Sequence, residues 1–151
     1  NDKTKSKLAN NLNRVRNHSE VQIIFVPRGI GTSKLTLNKR HHTQTRRRFM
    51  LLGQTLAGQQ AFDIIQCVRA IRSLSSYKNI PLEIWGYGHT SSLITISAIF
   101  RKDIHKINLL NYPKTDKEQP DYLNISRFAT PLQLLELAKL NTQVMITKND
   151  K

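Results

Sequence analysis

A strand, a glycine turn and a helix in the middle of the chain have the spacing of a turn that could carry catalysis. The apolar strand end Ile84-Trp85 is followed by Gly86-Tyr87-Gly88-His89-Thr90 and then by small and apolar residues that predict a helix. Hydrolytic enzymes place a nucleophile in this context as Gly-x-Ser-x-Gly, because small residues let the helix approach the strand closely. Here the central position is Gly88 and the last is Thr90. The alternative is an ordinary glycine turn without a chemical role.

Side chains beside this turn offer another route to a nucleophile. Ser91 and Ser92 lie just inside the predicted helix, and His89 is nearby. A Ser–His pair requires hydrogen-bond geometry and usually a third orienting group, and close neighbours at one helix start rarely point at each other. Alternatively, both serines satisfy backbone amides at the helix start, and His89 lines a pocket without catalysing a reaction.

A second glycine-marked loop, Arg28-Gly29-Ile30-Gly31, follows an apolar run over residues 21–26. The Gly29-x-Gly31-x-x-Lys34 spacing is close to a dinucleotide fingerprint but lacks the third glycine, and neither glycine loop is a P-loop. We therefore predict no cofactor. If the loop meets the helix that follows it, Arg28 and Asp63 form a partly buried ion pair; otherwise they are two unrelated surface charges.

Positive charge is concentrated in one part of the chain. The formal net charge is +14, and residues 21–62 hold seven Lys or Arg and no acid. We predict a polar, basic loop over about 32–48, whose basic patch comprises Lys39, Arg40, Arg46, Arg47 and Arg48. Such a cluster can neutralise phosphates and bind nucleic acid with strong salt dependence. The alternative is a solvated loop, since residues 39–48 contain no aromatic side chain for base stacking.

No partner with metal-ligand spacing accompanies His41 and His42, so no metal site is predicted.

Apolar periodicity predicts strands and helices that alternate along the chain. We predict strands over 21–26, 81–85, 104–111 and 142–147, and helices over 4–17, 60–74, 89–100 and within 123–140. Leu8, Leu12 and Val15 share one face of the first helix. This alternation favours an α/β fold with a parallel, doubly wound sheet and flanking helices. Functional residues then gather at the carboxyl ends of the strands, where both glycine loops lie.

Length and composition limit the alternatives. The chain has 151 residues, of which 38% are hydrophobic and one is a cysteine. That length suits a single domain, and one cysteine, Cys67, excludes an internal disulfide. No apolar run approaches the ~20 residues of a membrane span. No targeting segment is predicted within the chain, and because it starts at Asn1 we expect a processed product or an excerpt.

In the order and spacing of its features the chain resembles the α/β-hydrolase superfamily, in particular the dienelactone-hydrolase and acetyl-xylan-esterase-like branch. Arg28-Gly29-Ile30-Gly31 resembles the family's Asp-x-Arg-Gly-x-Gly after its fourth strand, with Val26 where the Asp would stand. Residues 46–49, 63–65 and 69–70 resemble the segment that leads into the helix before the family's nucleophile elbow. Residues 86–90 align with the elbow, 104–110 with the sixth strand, and 123–146 with the helix and seventh strand. The resemblance implies one partial α/β-hydrolase-like domain over residues 1–151.

Carried over position by position, the resemblance implies lost catalysis. The family's nucleophilic Ser falls on Gly88, and the oxyanion amide falls on His89. In the family the catalytic acid follows the seventh strand, and here Asp150 is its only candidate. The family's catalytic His follows the acid. It has no counterpart here, because the last histidine is His105. We therefore expect a catalytically inactive relative of carboxylic ester hydrolases.

The candidate binding residues under this interpretation are Arg28, Gly29, Gly31, His89 and Ser91. Expected partners are an ester or glycan ligand, or a neighbouring domain of a longer polypeptide. Two alternatives stay open. One is a basic α/β module that binds nucleic acid or another polyanion through residues 39–48. The other is an active hydrolase whose nucleophile is Ser91 or Ser92.

Overall fold

The described part of the chain is built around a small parallel β-sheet. The structure is a computed structural model that describes residues 21–34 and 38–147. Strands β1 (Glu83–Tyr87), β2 (Lys106–Leu110) and β3 (Gln143–Thr147) lie in the order β1-β2-β3, and both pairings are parallel. The predicted α/β class with a parallel sheet is confirmed, together with three of the four predicted strands.

Within the described residues, four α-helices accompany the sheet. They are α1 (Lys39–Leu51), α2 (Leu56–Ser73), α3 (His89–Phe100) and α4 (Pro131–Lys139). Short 3₁₀ turns cover Gly31–Ser33, Ser75–Tyr77 and Ile125–Arg127. Helices α2, α3 and α4 correspond to the three predicted ones that fall in this part of the chain, whereas the helix predicted over 4–17 lies outside the described residues.

Local sequence explains where α2 and α4 begin. The Thr55 hydroxyl accepts a hydrogen bond from the Gly58 amide at 3.0 Å, which satisfies one of the free amides at the start of α2. At α4, Thr130 and Gln133 form a capping box and Pro131 is the first helical residue. Proline suits that position because its missing N–H would have no partner within the helix. Local sequence therefore defines where α4 begins.

Helix α3 lies at the centre of the core. Every residue from 91 to 98 is buried, and the helix contacts β1, β2, α2 and α4. Leu93 and Ile94 join Ile107 and Leu109 of β2 in the main apolar cluster. Burial of each such side chain contributes about 1.5–3 kcal/mol. This packing holds the start of α3, and hence the Gly88 turn before it, in a defined position above the sheet.

The prediction of a strand over 21–26 is wrong. These residues are not assigned to a strand, and the side chains of Ile24 and Phe25 are 72% and 43% exposed. Their β-branched and aromatic composition favours extended backbone, but a strand also needs a hydrogen-bonded neighbour. None of the described strands pairs with residues 21–26, so this segment lacks the hydrogen-bonded neighbour that a strand needs.

The prediction of a basic loop over 32–48 is wrong from Lys39 onward, where α1 begins. The Asn38 side chain caps the helix by accepting a hydrogen bond from the Arg40 amide at 2.9 Å. Residues 39–51 contain neither Gly nor Pro, and Lys, Arg and Gln are good helix formers. The Asn38 cap and these helix-forming residues therefore favour a helix over this segment.

The two faces of the sheet have different surroundings. Ile84, Ile107 and Val144 lie side by side and pack in the apolar cluster formed with α3 and α4. The next residue of each strand points to the opposite face. On that face Trp85 and Met145 are 57% and 50% exposed. Helices on both faces, as a doubly wound sheet requires, are not seen in residues 21–34 and 38–147.

Candidate functional site

The turn between β1 and α3 has an unusual backbone conformation. Gly88 precedes the first residue of α3 with φ 57° and ψ −123°, a region that L side chains rarely adopt. The Gly88 amide donates to the Leu110 carbonyl at the end of β2 at 2.8 Å, and the Gly88 carbonyl accepts from the Ser91 amide at 3.0 Å. The turn is therefore tied both to the neighbouring strand and to the helix that follows.

Gly86 lets the helix approach the strand closely. A Cβ atom at Gly86 would lie 2.4 Å from Ile94 Cδ1, which is closer than such atoms pack, and a tight 3.1 Å from the Ser91 amide nitrogen. The expectation that small residues permit close approach of helix and strand is confirmed at this position. The result is a sharp turn from strand β1 into helix α3.

The outermost residue of this turn carries no reactive group. A Cβ atom at Gly88 would meet no atom within 4 Å, so the position is open, yet glycine has no side chain to fill it. His89 follows at the start of α3 with an exposed side chain. Residue 88, where the resemblance would place a nucleophile, is therefore open and carries no side chain.

Ser91 and Ser92 are buried below this turn, each with a relative exposure of 0%. The Ser91 hydroxyl donates to the Gly88 carbonyl at 2.5 Å. The Ser92 hydroxyl lies 3.3 Å from the Tyr122 hydroxyl and 3.5 Å from Gln119 Oε1. The prediction that both serines satisfy backbone amides at the helix start is wrong, because Ser91 donates to a carbonyl and Ser92 contacts other side chains. Both hydroxyls are nevertheless occupied within the fold, and this geometry opposes a role as displaced nucleophile.

Two tyrosines near this buried polar cluster stay neutral over the physiological pH range. Burial raises the pKa of Tyr112 to about 12 and raises that of Tyr122 further. The Tyr112 hydroxyl donates to the Pro131 carbonyl at 2.8 Å, which joins the loop after β2 to the start of α4. No sequence periodicity identifies Gln119, Tyr122 or Tyr112, because the segment between β2 and α4 is irregular. Sequence reasoning therefore missed this cluster.

The Arg28 loop is attached to α2. The Arg28 guanidinium donates from Nε to Asp63 Oδ2 at 2.8 Å and from Nη2 to Asp63 Oδ1 at 2.5 Å. Gln60 donates to the Arg28 carbonyl at 2.8 Å, and a Cβ atom at Gly29 would meet Leu56 at 3.4 Å. The hypothesised ion pair is therefore present. It groups Arg28, Gly29 and the adjoining Gly31 with α2, and these contacts do not bring them to the Gly88 turn.

The basic patch projects from α1. Arg40, Arg47 and Arg48 are exposed, and at 100° per residue they share about one third of the helix circumference. Arg46 points elsewhere and forms an ion pair with Asp121, Nη2 to Oδ2 2.6 Å. The side chain of Lys39 and the whole of Asp150 lie outside what the structure describes. Asp121, which attaches α1 to the loop before α4, was also missed, because a pairing between such distant residues has no local signal.

Comparisons with known proteins leave the chain without an assigned family: no family model matches it, and searches of curated proteins and of solved structures find no match either. In residues 21–34 and 38–147, none of the helices combines the length and apolarity needed to cross a membrane. The same residues contain no group of three or more His, Cys, Asp or Glu side chains placed to hold a metal ion.

Proposed function

We propose that this chain is an α/β-hydrolase-like domain, related to carboxylic ester hydrolases, that has lost its nucleophile and binds a ligand or a neighbouring domain instead of cleaving an ester. The observation that carries the proposal is Gly88. It occupies the outermost position of a strained turn whose strand side, at Gly86, is crowded by Ile94 and the Ser91 backbone. Acyl transfer through such a turn requires a hydroxyl or thiol there.

The surrounding residues support loss of catalysis. An alternative serine nucleophile would need an exposed hydroxyl within hydrogen-bond reach of a base. Ser91 and Ser92 are buried, and the Ser91 hydroxyl donates a hydrogen bond to the Gly88 carbonyl. His89 is exposed at the helix start. The retained features are an open space beside Gly88 and the backbone of His89, which are suited to contact a bound group but not to attack one.

The doubly wound hydrolase-like architecture is part of this proposal. Its support is the order of elements along the chain, which is β1, the Gly88 turn, α3 and β2. The strands are parallel, and Ile84, Ile107 and Val144 pack on the helices. Completion of the doubly wound arrangement requires helices on the face that carries Trp85 and Met145.

An ester-hydrolysis experiment tests the proposal. The full chain, Gly88→Ser and Gly88→Ala are assayed with an acyl ester and with a fluorophosphonate that labels activated serines. We expect no turnover and no labelling in the unaltered chain, and none in Gly88→Ser, because residues 106–147 contain no histidine that could activate the new hydroxyl. Turnover by the unaltered chain that is lost in Ser91→Ala or Ser92→Ala would overturn the proposal and establish a displaced nucleophile.

The exposed arginines of α1 favour a second candidate function, binding of nucleic acid or another polyanion. Arg40, Arg47 and Arg48 lie on one side of an acid-free helix, while Arg46 is paired with Asp121. Such an array neutralises phosphates without reading sequence. Because these arginines lie on a different element from Gly88, the polyanion function and the loss of hydrolysis are compatible and can be tested separately.

A further inference from the structure

The carboxyl end of α1 exposes a short apolar segment. Met50, Leu51 and Leu52 are 38%, 86% and 74% exposed, and we call these three residues the apolar tip. Gly53 follows with φ 67°, and its amide donates to the Met50 carbonyl at 3.0 Å. A glycine in this left-handed conformation is a common end of a helix, because it satisfies carbonyls of the last turn. The apolar tip is therefore part of a capped helix end.

The exposed arginines lie on the same side of α1 as the apolar tip. At 100° per residue, Arg40, Arg47 and Leu51 fall within about 40° of one another around the helix. Arg46 lies about 140° from Leu51 and forms the ion pair with Asp121, so this contact attaches α1 through its other side. Among the helices and strands that the structure describes, none packs extensively on α1. The arginines and the apolar tip thus share one solvent-exposed side.

We propose that α1 binds the surface of an anionic lipid bilayer, with its arginines at the lipid phosphates and the apolar tip inserted between headgroups and acyl chains. Helices that carry both features bind anionic bilayers because electrostatic attraction and apolar burial act together. The charge is complementary, since residues 21–62 contain seven Lys or Arg and no acid. With 13 residues, α1 is about 20 Å long, shorter than the ~30 Å hydrocarbon core. It therefore lies along the surface of the bilayer.

The apolar tip favours lipid over nucleic acid as the partner of α1. Phosphate contacts need the arginines alone, and residues 39–48 contain no aromatic side chain on which a base could stack. Leu51 and Leu52 are removed from water by acyl chains but not by a phosphate backbone. The apolar stems of Arg47 and Arg48 suit the same boundary, because their guanidinium groups can reach the headgroups while the stems stay in an apolar environment.

This inference uses the same arginines as the polyanion candidate function and names a lipid surface as the partner. The test titrates the full chain with vesicles of phosphatidylcholine and phosphatidylserine in equal parts, with pure phosphatidylcholine vesicles, and with a single-stranded oligonucleotide. Leu51→Ser/Leu52→Ser removes most of the apolar tip and keeps every charge. The matched control is Leu132→Ser/Leu140→Ser, which makes the same change at exposed leucines of α4 and its carboxyl end.

We expect binding to the anionic vesicles and none to pure phosphatidylcholine. Leu51→Ser/Leu52→Ser should lower the affinity for anionic vesicles about tenfold, because less apolar surface is buried, and should leave the affinity for the oligonucleotide unchanged. The matched control should bind both partners like the unaltered chain. Circular dichroism verifies that each variant stays folded.

Removal of charge tests the other half of the proposal. Arg47→Gln/Arg48→Gln should lower the affinity for anionic vesicles about 30-fold, since each basic residue at an anionic surface contributes a factor of about five. Lys102→Gln/Lys117→Gln removes the same charge at exposed positions outside α1 and should lower it by less. Equal effects of the two variants would overturn the proposal, because the net charge would then attract the vesicles.

Three further outcomes would overturn the proposal. Vesicle binding that Leu51→Ser/Leu52→Ser leaves unchanged means that the apolar tip does not enter the bilayer. Binding of the oligonucleotide without binding of vesicles assigns α1 to nucleic acid and leaves the polyanion function standing, whereas binding of neither removes both. A self-associated chain that binds no vesicles and dissociates in Leu51→Ser/Leu52→Ser, measured by analytical ultracentrifugation, assigns the apolar tip to a second copy of the chain.

Discussion

Arg28 and Asp63, although 35 residues apart, are joined by two side-chain hydrogen bonds and by a third from the Arg28 backbone amide to Asp63 Oδ2 at 3.1 Å. Arg28 also donates to Gln59 Oε1 at 3.2 Å. This fork-shaped contact fixes the glycine loop on the first turns of α2. The Asp63 side chain is 16% exposed and that of Arg28 is 44% exposed, so solvent screens the pair in part.

We predict that Asp63→Asn lowers the free energy of unfolding by about 1 kcal/mol, because it removes the charge but keeps an acceptor for a half-exposed arginine. Urea denaturation at low salt measures the change. Arg28→Lys serves as the companion variant, since a lysine keeps the charge and cannot form both side-chain hydrogen bonds. Equal stability of all three proteins would show that the pair contributes nothing.

The same pair predicts a pH dependence. The Arg28 hydrogen bonds, opposed in part by burial, hold the pKa of Asp63 below its ordinary value. A lowered folded-state pKa stabilises the protein above the unfolded pKa of about 3.9, and this contribution is lost as the pH falls through the folded value. The difference in unfolding free energy between the unaltered chain and Asp63→Asn should therefore shrink in acid. A difference that is constant from neutral pH into acid contradicts this assignment.

Gly86→Ala tests the close contact between β1 and α3. The new Cβ would overlap Ile94 Cδ1 and the Ser91 backbone, and overpacking of this kind costs about 1–3 kcal/mol. Thermal and urea unfolding measure the loss of stability. Adding Ile94→Val removes the nearest atom, so the double variant should be destabilised by less than the sum of the two single changes. Strict additivity would mean that Ile94 is not the obstacle.

Arg72 joins the end of α2 to two loops at the amino end of the sheet. Its guanidinium donates to the carbonyls of Tyr77, Ile80 and Asp103 at 2.8, 2.7 and 2.6 Å. We predict that Arg72→Met lowers the free energy of unfolding by about 2–4 kcal/mol, because several partly buried carbonyls lose their donor. Arg72→Lys should recover only a minor part, since one ammonium cannot reach all three. Full recovery with lysine would show that charge alone matters.

The exposed side of α1 predicts salt-dependent polyanion binding. Arg47→Gln/Arg48→Gln should weaken binding to a nucleic acid and reduce the slope of log K against log salt by about 0.7–0.9 for each phosphate that the variant no longer neutralises. Fluorescence anisotropy over a salt series measures both effects. The control Lys102→Gln/Lys117→Gln removes the same charge at exposed positions outside α1. If both variants weaken binding equally, the affinity depends on the net charge of the protein and not on the position of the arginines on α1.

Much of the architecture could be predicted from short stretches of sequence. The strands around Ile84, Ile107 and Val144 are apolar runs between turn residues, and the Thr130-Pro131 start of α4 is a local signal. Two predictions of secondary structure failed, and each for a physical reason. Residues 21–26 have the composition of a strand, but pairing depends on a neighbour that composition does not supply. Residues 39–48 look like a loop by charge, yet they have helix propensity and a cap at Asn38.

The sequence by itself determined that residue 88 is a glycine and therefore has no side chain; no fold can add this group. Only the tertiary structure decided that Ser91 and Ser92 are buried, that Arg28 contacts Asp63, and that the side chain of Trp85 is exposed. The side chain of a residue, the cap of a helix and the periodicity of apolar residues depend only on nearby positions in the chain, so they can be predicted from the sequence. Burial and ion pairing instead depend on which distant segments the fold brings together.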